Sequence, residues 1–308
     1  MKIIFVGTPE FGAAILENLT DAGYKPALII TETDKPTGRK QIFTPSVVKT
    51  TAQKYGLPIL QPDKIGNCKL EIENLKPDLI IVVAYGKILP KSILNIPKYG
   101  FLNIHPSLLP KYRGPSPIQE TILRGDDETG VTIILMNERM DEGPIVSSSK
   151  VKVQNSKVNY IELHNQLAEL GEKLLVETIP KWINGEIKAE PQDDSKASYT
   201  KIIKKEDGRI DWTESAEIIE RQIRAFNPWP SSFTDFDGKN LKILKAEILD
   251  QNGNFESGEI FLTKDKKIGV QTGKNCLVIE ELQLAGKNRM TAKEFLNGYK
   301  NLVGTILG

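Results

Sequence analysis

Asn103 and His105 stand two residues apart in the stretch 99–117, which reads YGFLNIHPSLLPKYRGPSP. Phe101 to Ile104 alternate and are β-prone, and Pro106 cannot donate to a sheet ladder, so a strand is predicted to stop there. Residues two apart in a strand share a face. An amide with two donor N–H groups and an imidazole able to carry protons in neutral solution are thus brought side by side at a strand's carboxyl end. A third polar group, Asp141, lies in the turn Met140-Asp141-Glu142-Gly143. These residue types suit acyl transfer to an amine. Such a reaction needs a donor at the developing oxyanion, an acceptor for the ammonium proton and a route to the leaving nitrogen. Asn103 supplies the first, Asp141 the second, and His105 can stabilise the oxygen or pass a proton onward. No side-chain nucleophile is required, because the substrate amine attacks. A plainer reading stands beside this one: His105 caps a strand, and Asp141 to Gly143 form an ordinary turn.

The elements that must position these groups are legible in outline. Lys2 to Val6 is a short buried-type strand, and Pro9 opens a helix carrying Phe11, Ile15, Leu19 and Ala22 at helical spacing. Ala27 to Ile30 is the next strand, and this β-α-β opening predicts a parallel sheet. Leu79 to Ala84 is the most apolar strand and is predicted to be central. In such sheets, ligands bind outside the carboxyl ends of the strands. Gly7-Thr8-Pro9-Glu10-Phe11-Gly12 is not a nucleotide motif, since Pro9 replaces the second glycine of the dinucleotide fingerprint and no Lys-Ser/Thr follows. Residues 31–45 read as a loop carrying Lys35, Arg39 and Lys40, either solvated surface or an arm that touches phosphate. Val131 to Met136 is a strand, Ile145 to Ser148 and Val151 to Val153 form two more, and Ile161 to Ile183 is a long amphipathic helix ended by Gly185. His164, within that helix, reads as structural. Ala189 to Ser198 is polar and aperiodic, as a linker is. Beyond it come a helix over Glu214 to Phe226 and five short strands, the pattern of a small closed or half-closed barrel.

The 308 residues suffice for two domains, each with a core. The formal net charge of +1 attracts no polyanion by itself, so a nucleic-acid partner requires a local basic patch. Residues 201–308 carry 17 Lys and Arg against 16 Asp and Glu, which leads to the same conclusion. Lys204 and Lys205, with Lys287 and Arg289, are the candidates for such a patch. Cys68 and Cys276 lack metal-type spacing, so neither a disulfide framework nor a metal site is expected, and a reducing cytoplasm fits. No apolar run is long enough to span a membrane, and no targeting segment precedes the first strand.

FVGTPEF at 5–11, VVAYG at 82–86, NIHPSLLPKYRGPSPIQ at 103–119, DETGVTI at 127–133, MDEG at 140–143, RIDW at 209–212 and RAFNPWP at 224–230 occur in that order. Together they resemble the methionyl-tRNA formyltransferase family, over the whole chain. The Asn-x-His-x-Ser-Leu-Leu-Pro stretch is shared with other enzymes that use 10-formyltetrahydrofolate, whereas RIDW with RAFNPWP is the more specific signal for the tRNA enzymes. The resemblance implies an α/β fold with a doubly wound, mostly parallel, Rossmann-like sheet, followed by a small β-barrel of the oligonucleotide-binding type. It divides the chain into a formyl-transfer domain at 1–188, a linker at 189–203 and a tRNA-binding barrel at 204–308. The family's catalytic Asn, His and Asp fall on Asn103, His105 and Asp141, and its folate-contacting residues on Ser107, Leu108, Leu109 and Pro110. Its basic loop, which enters the tRNA acceptor end, gives Lys35, Arg39 and Lys40 a role. The implied substrates are 10-formyltetrahydrofolate and methionyl initiator tRNA, the implied state a cytoplasmic monomer without metal. The rival readings are formylation of a sugar-nucleotide or purine-pathway amine, a folate-dependent hydrolase, or a non-catalytic RNA-binding protein with the same fold.

Overall fold

A computed structural model describes residues 1–38, 41–86, 89–153, 157–251, 253–299 and 301–308. In chain order the elements are β1 (Ile3–Gly7), α1 (Glu10–Asp21), β2 (Leu28–Ile30), β3 (Lys35–Thr37), β4 (Ile42–Thr44), α2 (Val47–Lys54), β5 (Ile59–Leu60), α3 (Lys69–Leu75) and β6 (Leu79–Val83). There follow α4 (Lys91–Leu94), β7 (Phe101–His105), α5 (Pro117–Arg124), β8 (Glu128–Leu135), β9 (Ile145–Lys152) and α6 (Tyr160–Ile183). The remainder comprises α7 (Ala216–Phe226), β10 (Ser232–Phe236), β11 (Lys239–Leu249), β12 (Ile260–Leu262), β13 (Ile268–Gln271), β14 (Cys276–Leu284), β15 (Met290–Thr291) and α8 (Ala292–Gly298). Two compact units result: Met1–Pro117 with Glu128–Lys152 and His164–Lys201, and Ile118–Asp127 with Val153–Leu163 and Ile202–Gly308.

The first unit is built on a seven-stranded sheet of order β5-β2-β1-β6-β7-β8-β9. The strands from β5 to β7 pair in parallel, and β8 and β9 join antiparallel. Every residue of β1, β6 and β7 is buried, as strands covered on both faces require. Ile4, Val6, Ile80 and Val82 share one apolar cluster with Ile72, Ile93 and Phe101. On the other face, α6 lies so close that a Cβ on Gly171 would meet Ile15 Cδ1 at 3.2 Å and Ile104 Cγ2 at 3.3 Å. A Cβ there would require Ile15 or Ile104 to give by a few tenths of an ångström.

Three local expectations are corrected. Residues 31–45, read as a loop, contain the hairpin β3–β4, whose Lys35 pairs with Thr44 and Thr37 with Ile42. All six of its strand residues are exposed, so no inside–outside alternation betrays it. The two strands expected between 145 and 153 are one, β9, with a register irregularity opposite Ile133 and Ile134. Residues 189–203, read as a linker, are hydrogen-bonded along the first unit as far as Lys201. Glu190 and Ile145 exchange backbone bonds at 2.7 and 2.8 Å, and Arg113 N donates to Ser198 O at 2.8 Å while Thr200 N donates to Arg113 O at 2.8 Å. Their aperiodicity reflects partners drawn from irregular backbone, not freedom from partners.

The second unit is an antiparallel sheet of order β10-β11-β14-β13-β12, with β15 added to β14. Its core joins Ile219 and Ile223 of α7 to Leu241, Ile243, Val270, Leu277, Ile279 and Phe295. Ser215 caps α7, its hydroxyl accepting from Ile218 N, and Thr291 with Glu294 forms a capping box on α8. Residues 305–308 bridge the two edge strands. Ile260 N donates to Thr305 O at 2.9 Å and Leu307 N to Gly258 O at 2.9 Å, while Asp235 N donates to Gly308 O at 2.7 Å. The tail thereby covers part of both edges of a curled, barrel-like sheet. Among the described residues no helix is long and apolar enough to cross a membrane.

Candidate active site

Asn103 and His105 occupy alternate positions of β7, Asn103 paired with Val82 and Ile134 on either side and His105 with Thr132. Asn103 is 8% exposed and His105 4%. The loop after β8 leaves beside Leu102, at the amino end of β7, and folds back along the strand to bring Asp141 to both. Asn103 Nδ2 donates to Asp141 Oδ1 at 3.3 Å, and His105 Nδ1 stands 3.7 Å from the same oxygen. Asp141 Oδ2 accepts from Gly114 N at 2.8 Å. One carboxylate therefore touches an amide, an imidazole and a backbone N–H, across sequence gaps of 38, 36 and 27 residues.

The imidazole is oriented from its far side. His105 Nε2 lies 2.9 Å from the Tyr112 carbonyl oxygen. A carbonyl only accepts, so Nε2 carries a hydrogen and Nδ1, the nitrogen facing Asp141, is the position where a proton is gained or lost. The amide has a second N–H beyond the one given to Asp141, and that donor is the group an oxyanion would use. Asp141 itself has φ 54°, a left-handed backbone that a residue with a Cβ adopts at a cost of about 1–2 kcal/mol.

Ser107 to Pro110 form the wall beside this trio. Ser107 Oγ donates to Lys111 O at 2.6 Å, Leu109 N donates to Thr132 Oγ1 at 3.1 Å, and that hydroxyl donates to Ser107 O at 2.7 Å. The Leu109–Pro110 bond is cis. Leu108 reaches the face of β8 because position 130 is glycine; a Cβ there would meet Ser149 O at 2.2 Å and Leu108 Cδ2 at 2.6 Å. The loop is thus tied through the Ser107 and Thr132 hydroxyls, with Leu109 buried and Leu108 packed toward Gly130.

Two residues at the site were not assigned a role from sequence. Arg113 is 1% exposed; its Nε and Nη2 donate to Gln192 Oε1 at 3.0 and 2.8 Å, its Nη2 to Asp194 Oδ1 at 2.6 Å and its Nη1 to Tyr199 Oη at 3.1 Å. Burial pulls its pKa down, but the hydrogen bonds to Asp194 and Tyr199 outweigh burial and raise it, so the guanidinium stays charged. Gln192 Nε2 in turn donates to Asp141 O at 2.8 Å and to Gly143 O at 2.7 Å. Arg113 was visible as a charge in the motif; Gln192 sat in an aperiodic stretch with no signal at all.

The residues expected to meet RNA are placed less tightly. Lys35 is exposed in β3 and ion-paired with Glu32 at 2.5 Å, while Arg39 and Lys40 lie outside the described residues. Lys204 and Lys205 are both exposed. Lys204 N donates to Asp207 Oδ2 at 2.7 Å, and Arg289 is ion-paired with Glu281. Among the described residues, no group of three or more His, Cys, Asp or Glu side chains could hold a metal ion.

The family model described as formyl transferase matches residues 1–179, and the one for the formyl transferase C-terminal domain matches residues 202–300. A methionyl-tRNA formyltransferase of Bacillus velezensis is 43% identical over 311 residues, which cover 100% of this chain and 98% of the relative. One from Staphylococcus aureus is 43% identical over 310 residues, covering 99% of each. Among solved structures, HypX from Aquifex aeolicus in complex with tetrahydrofolic acid has a TM-score of 0.65 at 17% identity, covering 98% of this chain and 48% of its own. An N-formyltransferase from Helicobacter canadensis, bound to folinic acid and dTDP-3-aminofucose, has a TM-score of 0.68 at 19% identity, covering 91% of this chain and 99% of its own. These distant structures share the fold. With full-length relatives at 43% identity and both halves matched, this chain belongs to the methionyl-tRNA formyltransferase family.

Proposed function

We propose that the enzyme transfers the formyl group of 10-formyltetrahydrofolate to the α-amino group of methionyl initiator tRNA, with Asn103, His105 and Asp141 as its catalytic residues. The observation that carries the site assignment is the convergence on one oxygen: Asn103 Nδ2 and His105 Nδ1 both face Asp141 Oδ1. The amine attacks the formyl carbon, and the formyl oxygen gathers negative charge that the second N–H of Asn103 stabilises. Asp141 accepts the proton shed by the new ammonium. His105 Nδ1, 3.7 Å away, is the next stop for that proton. The C–N bond to the folate then breaks, and the folate nitrogen leaves carrying one proton, so the step balances without an added reagent. Ser107, Leu108, Leu109 and Pro110 bind the folate donor in this reading.

The first unit carries the chemistry and the barrel-like unit, read as the domain at 204–308, binds tRNA, with Lys204 and Lys205 among its phosphate contacts. Lys35, Arg39 and Lys40 approach the acceptor end. Phosphate contacts make tRNA affinity fall steeply with salt. The protein is expected to act as a cytoplasmic monomer, which light scattering and cell fractionation test.

The deciding assay offers 10-formyltetrahydrofolate with either aminoacylated initiator tRNA or an amino-sugar nucleotide. Formyl-methionine formed only with the tRNA supports the proposal. Preferred formylation of the sugar amine, or release of formate with no acceptor, refutes it.

A further inference from the structure

Four hydrogen bonds meet at the side-chain amide of Gln192: two accepted from Arg113 and two donated, to Asp141 O and Gly143 O. An amide offers two donor hydrogens and two acceptor lone pairs, so this one is saturated. Its orientation is fixed by chemistry, because Arg113 can only donate and the two carbonyls can only accept. The carbonyls it holds are those of the left-handed residue 141 itself and of the glycine two positions on. Arg113 is in turn anchored by Asp194 and Tyr199. A chain of contacts thus runs from the segment after α6, through a buried cation, to the backbone under the carboxylate.

We infer that Gln192, oriented by Arg113, is a positioning residue for formyl transfer, fixing the backbone of 141–143 so that the Asp141 carboxylate meets Asn103, His105 and the Gly114 N–H. This inference rests on the reading of Asp141 as the proton acceptor. The segment read as a linker then has a second office: it braces the catalytic loop. Left-handed backbone at Asp141 needs such a brace, since relaxation of φ would swing the carboxylate away from a partner it meets at 3.3 Å.

Two nearly isosteric variants separate positioning from packing. Gln192→Glu keeps an acceptor for Arg113 and adds an ion pair, but turns a second oxygen toward both carbonyls. Gln192→Met removes donors and acceptors together. Both variants are assayed for kcat, for KM with each substrate, and for Tm, with kcat expressed per mole of protein that binds tetrahydrofolate. Positioning predicts that kcat falls roughly 10- to 100-fold in both, since a displacement of about 1 Å can cost 10²-fold. Both KM values stay within about twofold. The Tm values diverge, with the Glu variant melting above the Met variant. On an Asp141→Asn background, Gln192→Glu lowers kcat by less than about twofold further, because the two residues act as one unit. A kcat within about twofold of wild type in either variant, activity that follows the Tm order, or a further tenfold loss on the Asp141→Asn background overturns the inference while the formyl-transfer reading stands. Absence of formyl transfer by the wild-type enzyme overturns that reading and the inference with it.

Discussion

Asp141→Asn is the most direct probe of the proposed chemistry, because it alters charge and proton capacity while keeping shape. The replacement amide can still accept from Gly114 N with its oxygen. Its NH2 then faces the Asn103 NH2, donor against donor, where the carboxylate had accepted at 3.3 Å. Two effects follow. Weakening the Gly114 hydrogen bond to one with a neutral acceptor costs about 1 kcal/mol of stability, and leaving the Asn103 N–H facing another donor costs about 1–3 kcal/mol more. Removing a positioned general base costs about 10²–10⁴ in rate, or about 2.7–5.4 kcal/mol at 1.36 kcal/mol per tenfold. The two ranges overlap, so the rate loss is assigned to chemistry only where folding and folate binding are retained. The assay is steady-state formylation of methionyl initiator tRNA at 25 °C, well below the melting transition, with tetrahydrofolate binding measured in parallel. Expected are a kcat lowered at least about 100-fold and folate binding within about twofold of wild type. A kcat within about threefold of wild type would refute the role of Asp141, as would a rate loss matched by an equal loss of folate binding.

Asn103→Ala removes the proposed oxyanion donor and is expected to lower kcat by about 10²–10³ with little change in KM, measured in the same assay. Glu172, on α6, tests linkage. Burial raises its pKa, opposed by a hydrogen bond from Asn18. The folded state therefore binds more protons than the unfolded one between the ordinary glutamate pKa and the raised value, and stability falls as pH rises through that window. Glu172→Gln is expected to raise Tm at pH 7 and leave it unchanged near pH 4; equal shifts at both pH values would contradict the burial argument. Deleting residues 305–308 uncovers the edges of β10 and β12 and removes buried Leu307. The side chain alone is worth about 1.5–3 kcal/mol, so the barrel unit is expected to melt about 10 °C lower or more, with association visible by size-exclusion chromatography.

Read alone, the sequence identifies the strand under the site. Phe101 to Ile104 alternate, Pro106 stops the ladder, and the period of two places Asn103 and His105 on one side, as the structure has it. Local chemistry also decides the helix starts: Ser46, Ser215 and Thr291 each cap a helix through their own hydroxyl. These features depend on neighbours a few residues away, so the pattern carries them. The hairpin β3–β4 escaped notice because exposed residues on both faces leave no periodicity to read.

What sequence cannot decide is which distant segment meets which. The pairing of Asp141 with His105 joins residues 36 positions apart, and nothing in either local stretch encodes the 3.7 Å between them. Antiparallel pairing starts the loop after β8 beside Leu102, at the amino end of β7, and only the fold of that loop back along the strand brings Asp141 to His105. The role of Gln192 lies further from reach. A polar, aperiodic run has the composition of a tether, and only the packed structure shows its amide spent on a buried arginine and two loop carbonyls. Periodicity reports which face of an element is buried; the partners of irregular backbone are chosen by tertiary geometry, where one amide's four hydrogen-bonding positions are filled from two separate stretches of chain.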